Sequence, residues 1–178
     1  MRLASVLAVA GMVAATVLGE TTTASATTAS LPGYYTWVNA KTVDTADNKC
    51  LAVSGGIMTP GRGAIQWHCN GGLEQQWSEL DLSGAQVYSK LRSAKDPNYC
   101  LSVPNNTSEP GVQLIIWPCG NGPEQLWDPV PVRLSHGTGW LLRNKGTGMY
   151  AASYRGETGD NVPVIQWNAT GDLGQYWY

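Results

Sequence analysis

Gln75-Gln76-Trp77, Gln125-Leu126-Trp127 and Gln175-Tyr176-Trp177 are one Gln-x-Trp motif written three times, each copy 50 residues after the last. The same offset carries Cys50 to Cys100, Cys69 to Cys119, Trp67 to Trp117 and Trp167, Ile65 to Ile115 and Ile165, and Pro60-Gly61 to Pro110-Gly111. Recurrence of a large aromatic at one fixed period means three copies of one supersecondary unit. None can bury its apolar face alone, so the copies must close around a shared core. The third copy departs at the cysteines, where Tyr150 and Ala169 stand in the thiol positions. Packing rather than a bridge must hold that unit, and it is expected to be the loosest of the three.

Outward from the repeats, the first 26 residues do not share the pattern. Arg2, an apolar run from Leu3 to Leu18 and the small residues Ala24-Ser25-Ala26 read as a secretory signal peptide over 1–26. That run is shorter than the ~20 residues a membrane helix needs. Residues 27–34 are expected to be a short tail and 35–178 a single domain, with repeats at about 35–83, 84–133 and 134–178. A secreted, extracellular, soluble monomer is the expectation. Charged residues make up 13% of the chain, about half the roughly 25% of ordinary soluble domains. Lys and Arg form no clusters and the formal net charge is -2, so neither nucleic acid nor a membrane is an expected partner.

Four cysteines in an exported chain favour disulfides, and four thiols allow three pairings. Cys50 with Cys69 and Cys100 with Cys119 are the same pair in successive units, whereas any cross-unit pairing breaks the repeat. Each bridge closes a loop of about 20 residues, worth ~3 kcal/mol in the chain-entropy model. No Cys-x-x-Cys occurs, and His68 and His136 are not repeat-related, so no metal and no cofactor are expected.

No segment keeps apolar residues at helical spacing over a usable length. The pattern is four short strands per unit. The first unit's fall near Tyr35 to Lys41, Cys50 to Val53, Ala64 to Cys69 and Gln75 to Leu80. The second's fall near Gln86 to Arg92, Cys100 to Val103, Leu114 to Trp117 and Gln125 to Asp128. The third's fall near Trp140 to Asn144, Tyr150 to Ser153, Pro163 to Trp167 and Gln175 to Tyr178. Pro60-Gly61 and Pro110-Gly111 suit type II turns, with Gly159-Asp160 serving the third copy. Alternation puts Leu51 with Val53 and Leu101 with Val103 on one side, and Ala52, Ser102 and Ala152 on the other.

Cys-Leu-x-Val, an Ile-x-Trp run before the second cysteine and a closing Gln-x-Trp, over residues 35 to 178, resemble the ricin B-type lectins. The resemblance implies an all-β fold: a β-trefoil of three four-stranded repeats with pseudo-threefold symmetry. Cys50-Leu51-Ala52-Val53 and the run from Asn70 to Trp77 look most like exported carbohydrate-binding modules of actinobacteria. In that family the Gln-x-Trp indoles are structural, which implies that Trp77, Trp127 and Trp177 fill the core.

The resemblance also implies a shallow sugar site in each unit, whose parts can be sought in turn. The aromatic plate on which a pyranose stacks corresponds to Trp67, Trp117 and Trp167. Alternation sets Trp67 on the side of Ile65, and whether these rings join the core or a site stays open because strand ends break alternation. The acidic residue two after the first cysteine is replaced by Ala52, Ser102 and Ala152. A charge-assisted hydrogen bond of that kind is worth ~1.5 to 3 kcal/mol, so typical galactose binding should be lost unless another group substitutes. The polar residue before the motif is Glu74, Glu124 and Gly174, followed by Gln75, Gln125 and Gln175. Trp117, Ser102, Asn105, Asn106, Glu124 and Gln125 make the second unit the best equipped. The first offers Trp67, Asn70, Glu74 and Gln75, and the third Trp167, Asp160 and Asn161. Turn formation is a competing role for these Asn and Asp residues.

Three functions compete for this sequence. The first is a secreted lectin-like protein that binds glycans or polysaccharides through aromatic-plate sites. The second is the same scaffold with lapsed sugar sites, serving as a protein-interaction module or inhibitor. Catalysis is not expected: Glu74 and Glu124 belong to different units, whereas glycoside hydrolysis needs two carboxylates roughly 5 to 9.5 Å apart, and no nucleophile elbow or phosphate loop occurs. The particular sugar, the number of competent sites and any bound partner chain are not written in these motifs.

Overall fold

The computed structural model describes residues 31–43 and 45–178. The expected signal peptide over 1–26 and the tail before Leu31 lie outside the described residues.

Each unit is built on one hairpin of identical register. In the first, β2 (Lys49–Val53) pairs antiparallel with β3 (Ala64–His68), setting Cys50 opposite Trp67 and Ala52 opposite Ile65. In the second, β6 (Tyr99–Ser102) pairs with β7 (Ile115–Pro118), with Cys100 opposite Trp117 and Ser102 opposite Ile115. The third pairs β10 (Tyr150–Ser153) with β11 (Val162–Trp167), and Tyr150 now faces Trp167. The hairpins meet cyclically: Gly63 bridges Ile115, Gln113 bridges Ile165 and Pro163 pairs with Ile65. That closed cycle is the pseudo-threefold axis of a β-trefoil.

The remaining strands form the barrel wall. β1 (Tyr34–Thr36) pairs with β4 (Gln76–Ser78), and β5 (Ser89–Lys90) with β8 (Leu126–Leu134). β8 in turn pairs over eight positions with β9 (Gly137–Asn144). The expected strand Gln175 to Tyr178 forms no ladder. It stitches the chain end to both neighbours instead, through isolated bridges from Trp177 to Asn39 and to Trp140 and through mutual backbone bonds between Val38 and Tyr178. Eleven strands result among the described residues rather than twelve, because closing a barrel leaves its last strand wedged between two partners at once.

Nor is the fold free of helical turns. A three-residue 3-10 turn follows the second strand of each unit (Ser54–Gly56, Pro104–Asn106, Tyr154–Gly156), and another precedes each closing indole (Leu73–Gln75, Pro123–Gln125, Leu173–Gln175). They are too short for hydrophobic periodicity to register. The expected type II turn forms at Pro60-Gly61, where Gly61 has φ 81° and Arg62 N–H bonds the Thr59 carbonyl at 3.1 Å. Its third-unit equivalent is Asp160-Asn161, with Asn161 at φ 59°, rather than Gly159-Asp160.

The core lies on the axis. Trp77, Trp127 and Trp177 are completely buried there with Leu51, Leu101, Ala151, Leu114, Ile116 and Val164. A buried indole N–H needs an acceptor, and each finds the same one: the carbonyls of Leu51, Leu101 and Ala151 at 2.9, 3.0 and 3.1 Å. Each preceding glutamine clamps the loop before it. Gln75 accepts from Asn70 N–H and donates to the His68 carbonyl; Gln125 does so with Gly120 and Pro118, and Gln175 with Thr170 and Asn168. Disulfides join Cys50 to Cys69 and Cys100 to Cys119, as the repeat requires.

Candidate functional site

The outer face of each hairpin carries a concavity, and its floor follows from strand alternation. Ala52, Ser102 and Ala152 point away from the axis and lie opposite Ile65, Ile115 and Ile165. Two residues further along the same face stand Trp67, Trp117 and Trp167. Sharing a side with Ile65 therefore sets these tryptophans against the pocket, not in the core, because the axis-facing residues of that strand are Ala64 and Gln66. Trp117 is 47% exposed and Trp167 40%, while Trp67 is half-buried.

A turn from the neighbouring unit lies beside each ring. A Cβ at Gly61 would stand 3.9 Å from Trp117 Cζ3, and one at Gly111 would stand 3.3 Å from Trp167 Cζ3. Asn161 is the cyclic equivalent and brings a side chain into the wall of the first pocket. With the His68 ring 5.6 Å from Trp67, this explains why that indole is the more covered.

The two smaller pockets, of about 240 and 250 Å³, are lined by Trp67 with Glu74 and by Trp117 with Glu124. Asn105 and Asn106 form the lip of the second, both in the left-handed region at φ 53° and 49°. The third is about 480 Å³ and is lined by Trp167, Tyr154, Arg155, Thr170 and Asp172. By size and by number of polar groups it exceeds the second, which the motifs alone ranked first.

Each pocket has one carboxylate at its closing 3-10 turn: Glu74 and Glu124 lie within theirs, whereas Asp172 caps the third. Glu74 and Glu124 fold back over Gly72 and Gly122, where any Cβ would collide with the carboxylate. In the third unit the pair is exchanged: Asp172 replaces the first glycine and Gly174 the glutamate. The Asp172 carboxylate accepts the Gly174 N–H at 2.7 Å and pairs with Lys41 at 3.5 Å. The first pocket has the counterpart pair, Lys95 with Glu74 at 4.0 Å. The exchange is visible when Gly-Leu-Glu, Gly-Pro-Glu and Asp-Leu-Gly are aligned at 72–74, 122–124 and 172–174, whereas comparing position 74 with 174 alone shows only a loss.

Several expected residues lie elsewhere. Asp160, assigned to the third unit, binds the first: it accepts from Lys49 Nζ at 2.8 Å and from His68 N–H at 2.7 Å. Lys49 is buried and also pairs with Asp47. Burial opposes the charge on Asp160, but hydrogen bonds from Lys49 and the His68 amide outweigh it and hold the carboxyl below the usual range. Burial would likewise depress Lys49, yet Asp160 and Asp47 together push the ammonium above its ordinary value. Asn161 also serves the first pocket rather than the third. Asn70 accepts the Gly72 N–H in a tight turn outside the pocket lining. Gln75 and Gln175 do line their pockets, but like Gln125 they are buried with their amides spent on the loop clamps, and Ser102 lines the second pocket with its Oγ donating to the Val103 carbonyl at 3.3 Å. Sequence reasoning missed Asp172, Thr170, Tyr154 and Arg155.

Residues 36–177 match the ricin-type beta-trefoil lectin domain family. No curated protein matches the chain. Among solved structures, the designed threefold-symmetric protein ThreeFoil is 29% identical with a TM-score of 0.69, covering 82% of this chain and 96% of its own. The exo-beta-1,3-galactanase 1,3Gal43A of Clostridium thermocellum is 26% identical with a TM-score of 0.69, over 82% of this chain but 29% of the galactanase. The Rhizoctonia solani agglutinin, 20% identical with a TM-score of 0.66 over 84% and 95% of the two chains, shares the fold. A family match over that span, on three cyclically related hairpins with closing indoles, means that the chain belongs to the ricin-type β-trefoil lectin domain family.

Proposed function

We propose that this protein is a secreted, monomeric carbohydrate-binding protein that holds glycans or polysaccharides at shallow plates on its three outer pockets. The observation that carries the reading is the solvent-exposed indole beside a carboxylate, repeated around the axis: Trp117 with Glu124 and Trp167 with Asp172, with Trp67 and Glu74 as a more covered third. An indole face offers apolar area to the C–H side of a pyranose, and the carboxylate accepts its hydroxyl hydrogens. Glu74, Glu124 and Asp172 thus substitute for the acidic group missing at Ala52, Ser102 and Ala152. The galactanase relative has a glycan-directed name, and its matching segment is a part of a longer chain. An exported module of the actinobacterial kind, binding without catalysis, fits this arrangement.

Each pocket is open, and one site should bind with a Kd of ~1 mM. Three on one rigid body reach useful strength on a polymer through avidity. The test is retention of residues 27–178 on insoluble polysaccharides and on a glycan array, beside Trp117→Ala and Trp167→Ala. Each variant should fold as the parent does and lose about tenfold in polymer affinity, with a smaller loss toward monosaccharide. Unchanged polymer retention in both folded variants would remove the plates from the function. The empty acidic position favours a second reading, a protein-binding trefoil; an array with no glycan bound would support it.

A further inference from the structure

The third pocket differs from its partners in charge as well as size. Gly55, Asn105 and Arg155 occupy the same place in the three units, all in the left-handed region at φ 62°, 53° and 53°. Glycine adopts that conformation freely and asparagine tolerates it, but a long side chain enters it only where the surroundings impose it. Backbone held in this way is a feature of ligand clamps. Arg155 Cζ rests 5.0 Å from the centre of the Tyr154 ring, which orients the guanidinium without using its donors. Among the described residues it makes no hydrogen bond and no ion pair.

The other charges at this pocket are committed. Asp172 is engaged by Lys41 and by the Gly174 amide. Ser153 Oγ, which also lines the pocket, is buried without a partner. An unspent planar cation, a stacking ring and a hydroxyl-accepting carboxylate therefore border one cavity of about 480 Å³, while the equivalents of Arg155 at the smaller pockets are uncharged.

We propose that the third pocket takes a pyranose that carries a carboxylate: its ring on Trp167, its acid group on Arg155, and its hydroxyls toward Asp172 and Thr170. A guanidinium meets a carboxylate through two parallel N–H bonds, a match that neither Gly55 nor Asn105 can offer. The inference rests on the reading of the plates as carbohydrate sites. It extends that reading from neutral sugars to uronates or sialic acids, which share this chemistry.

The experiment titrates residues 27–178, at physiological salt, with trigalacturonate beside its carboxyl-reduced counterpart and with 3'-sialyllactose beside lactose. Trp117 and Trp167 indole signals are followed by NMR. At least one acidic sugar should bind about tenfold more tightly than its neutral partner, with the shift at Trp167. Arg155→Asn, which the second unit already accommodates at Asn105, should abolish that preference, and Arg155→Lys should restore part of it. Which acid wins separates uronate from sialic acid. Equal affinity for acid and neutral sugars, or a preference that survives Arg155→Asn, overturns this inference alone. Silence of both indoles toward every sugar overturns the carbohydrate reading with it.

Discussion

Six indoles of the repeat divide by what their position lets them do. Trp77, Trp127 and Trp177 have no accessible surface, and each N–H is spent on a backbone carbonyl 26 residues earlier. Trp67, Trp117 and Trp167 stand two residues past a pocket-floor isoleucine and keep at least part of a ring face in solvent. Trp127→Ala should therefore cost ~3 to 5 kcal/mol, a large fraction of a domain's stability. Urea unfolding should show that loss, whereas Trp117→Ala should stay within about 1 kcal/mol of the parent. Equal destabilisation by the two would mean that the pocket indoles are core. The carboxylates teach a related lesson. A charge can keep its place in space while moving two residues in sequence, because a 3-10 turn brings both positions over one spot.

The hairpin of the Cys-Leu-x-Val strand and the Ile-x-Trp strand is the element that builds a pocket. In the first two units a disulfide closes its base across 19 residues; in the third, Tyr150 lies opposite Trp167 instead. Cross-strand side-chain neighbours contribute ~0.2 to 1 kcal/mol, less than the ~3 kcal/mol of a bridge around such a loop. Reduction under native conditions should lower the unfolding free energy by up to about 3 kcal/mol for each bridge. The Trp167 pocket should be the least affected in ligand titration, and equal loss at all three pockets would argue that the bridges act on the whole barrel. Gln66 and Gln166 reach across to loops of other units, donating to the carbonyls of Glu157 and Gly159 and of Thr107 and Glu109. Ile116 replaces that amide in the second unit, and Met58, on the loop facing it, packs on the core instead.

Closure is the property of the whole molecule. The chain end bridges Asn39 and Trp140, and Lys49 with Asp160 ties the first unit to the third. Asp160→Asn should destabilise by about 1 to 2 kcal/mol near neutrality, below the 3 to 5 of a fully buried pair, because the Asp160 side chain is 37% exposed and solvent screens it. A carboxyl held below its unfolded value stabilises above that value, about 3.9, and the contribution disappears as pH falls through the folded one. The raised Lys49 is its mirror, stabilising below about 10.4 and losing its contribution above. The parent–variant gap in urea midpoint should stay flat from pH 5 to 8 and close below about pH 4. A gap that persists in acid would deny the ion pair its role.

Fold, bridge pairing and buried indoles were legible in the chain because each depends on a pattern repeated at a single offset of 50 residues. Repetition makes a local reading report on three places at once. The pockets were legible only in part. Their indoles and two of their carboxylates recur at the offset, but Asp172 and Arg155 break it, and Asn161 crosses to the first unit. A pocket wall assembled from two units has no signature in either one's own sequence. The cyclic hairpin contacts decide which turn faces which indole, and so only the folded trefoil could place Asp160 on Lys49 and leave Arg155 at the third pocket with its donors unspent.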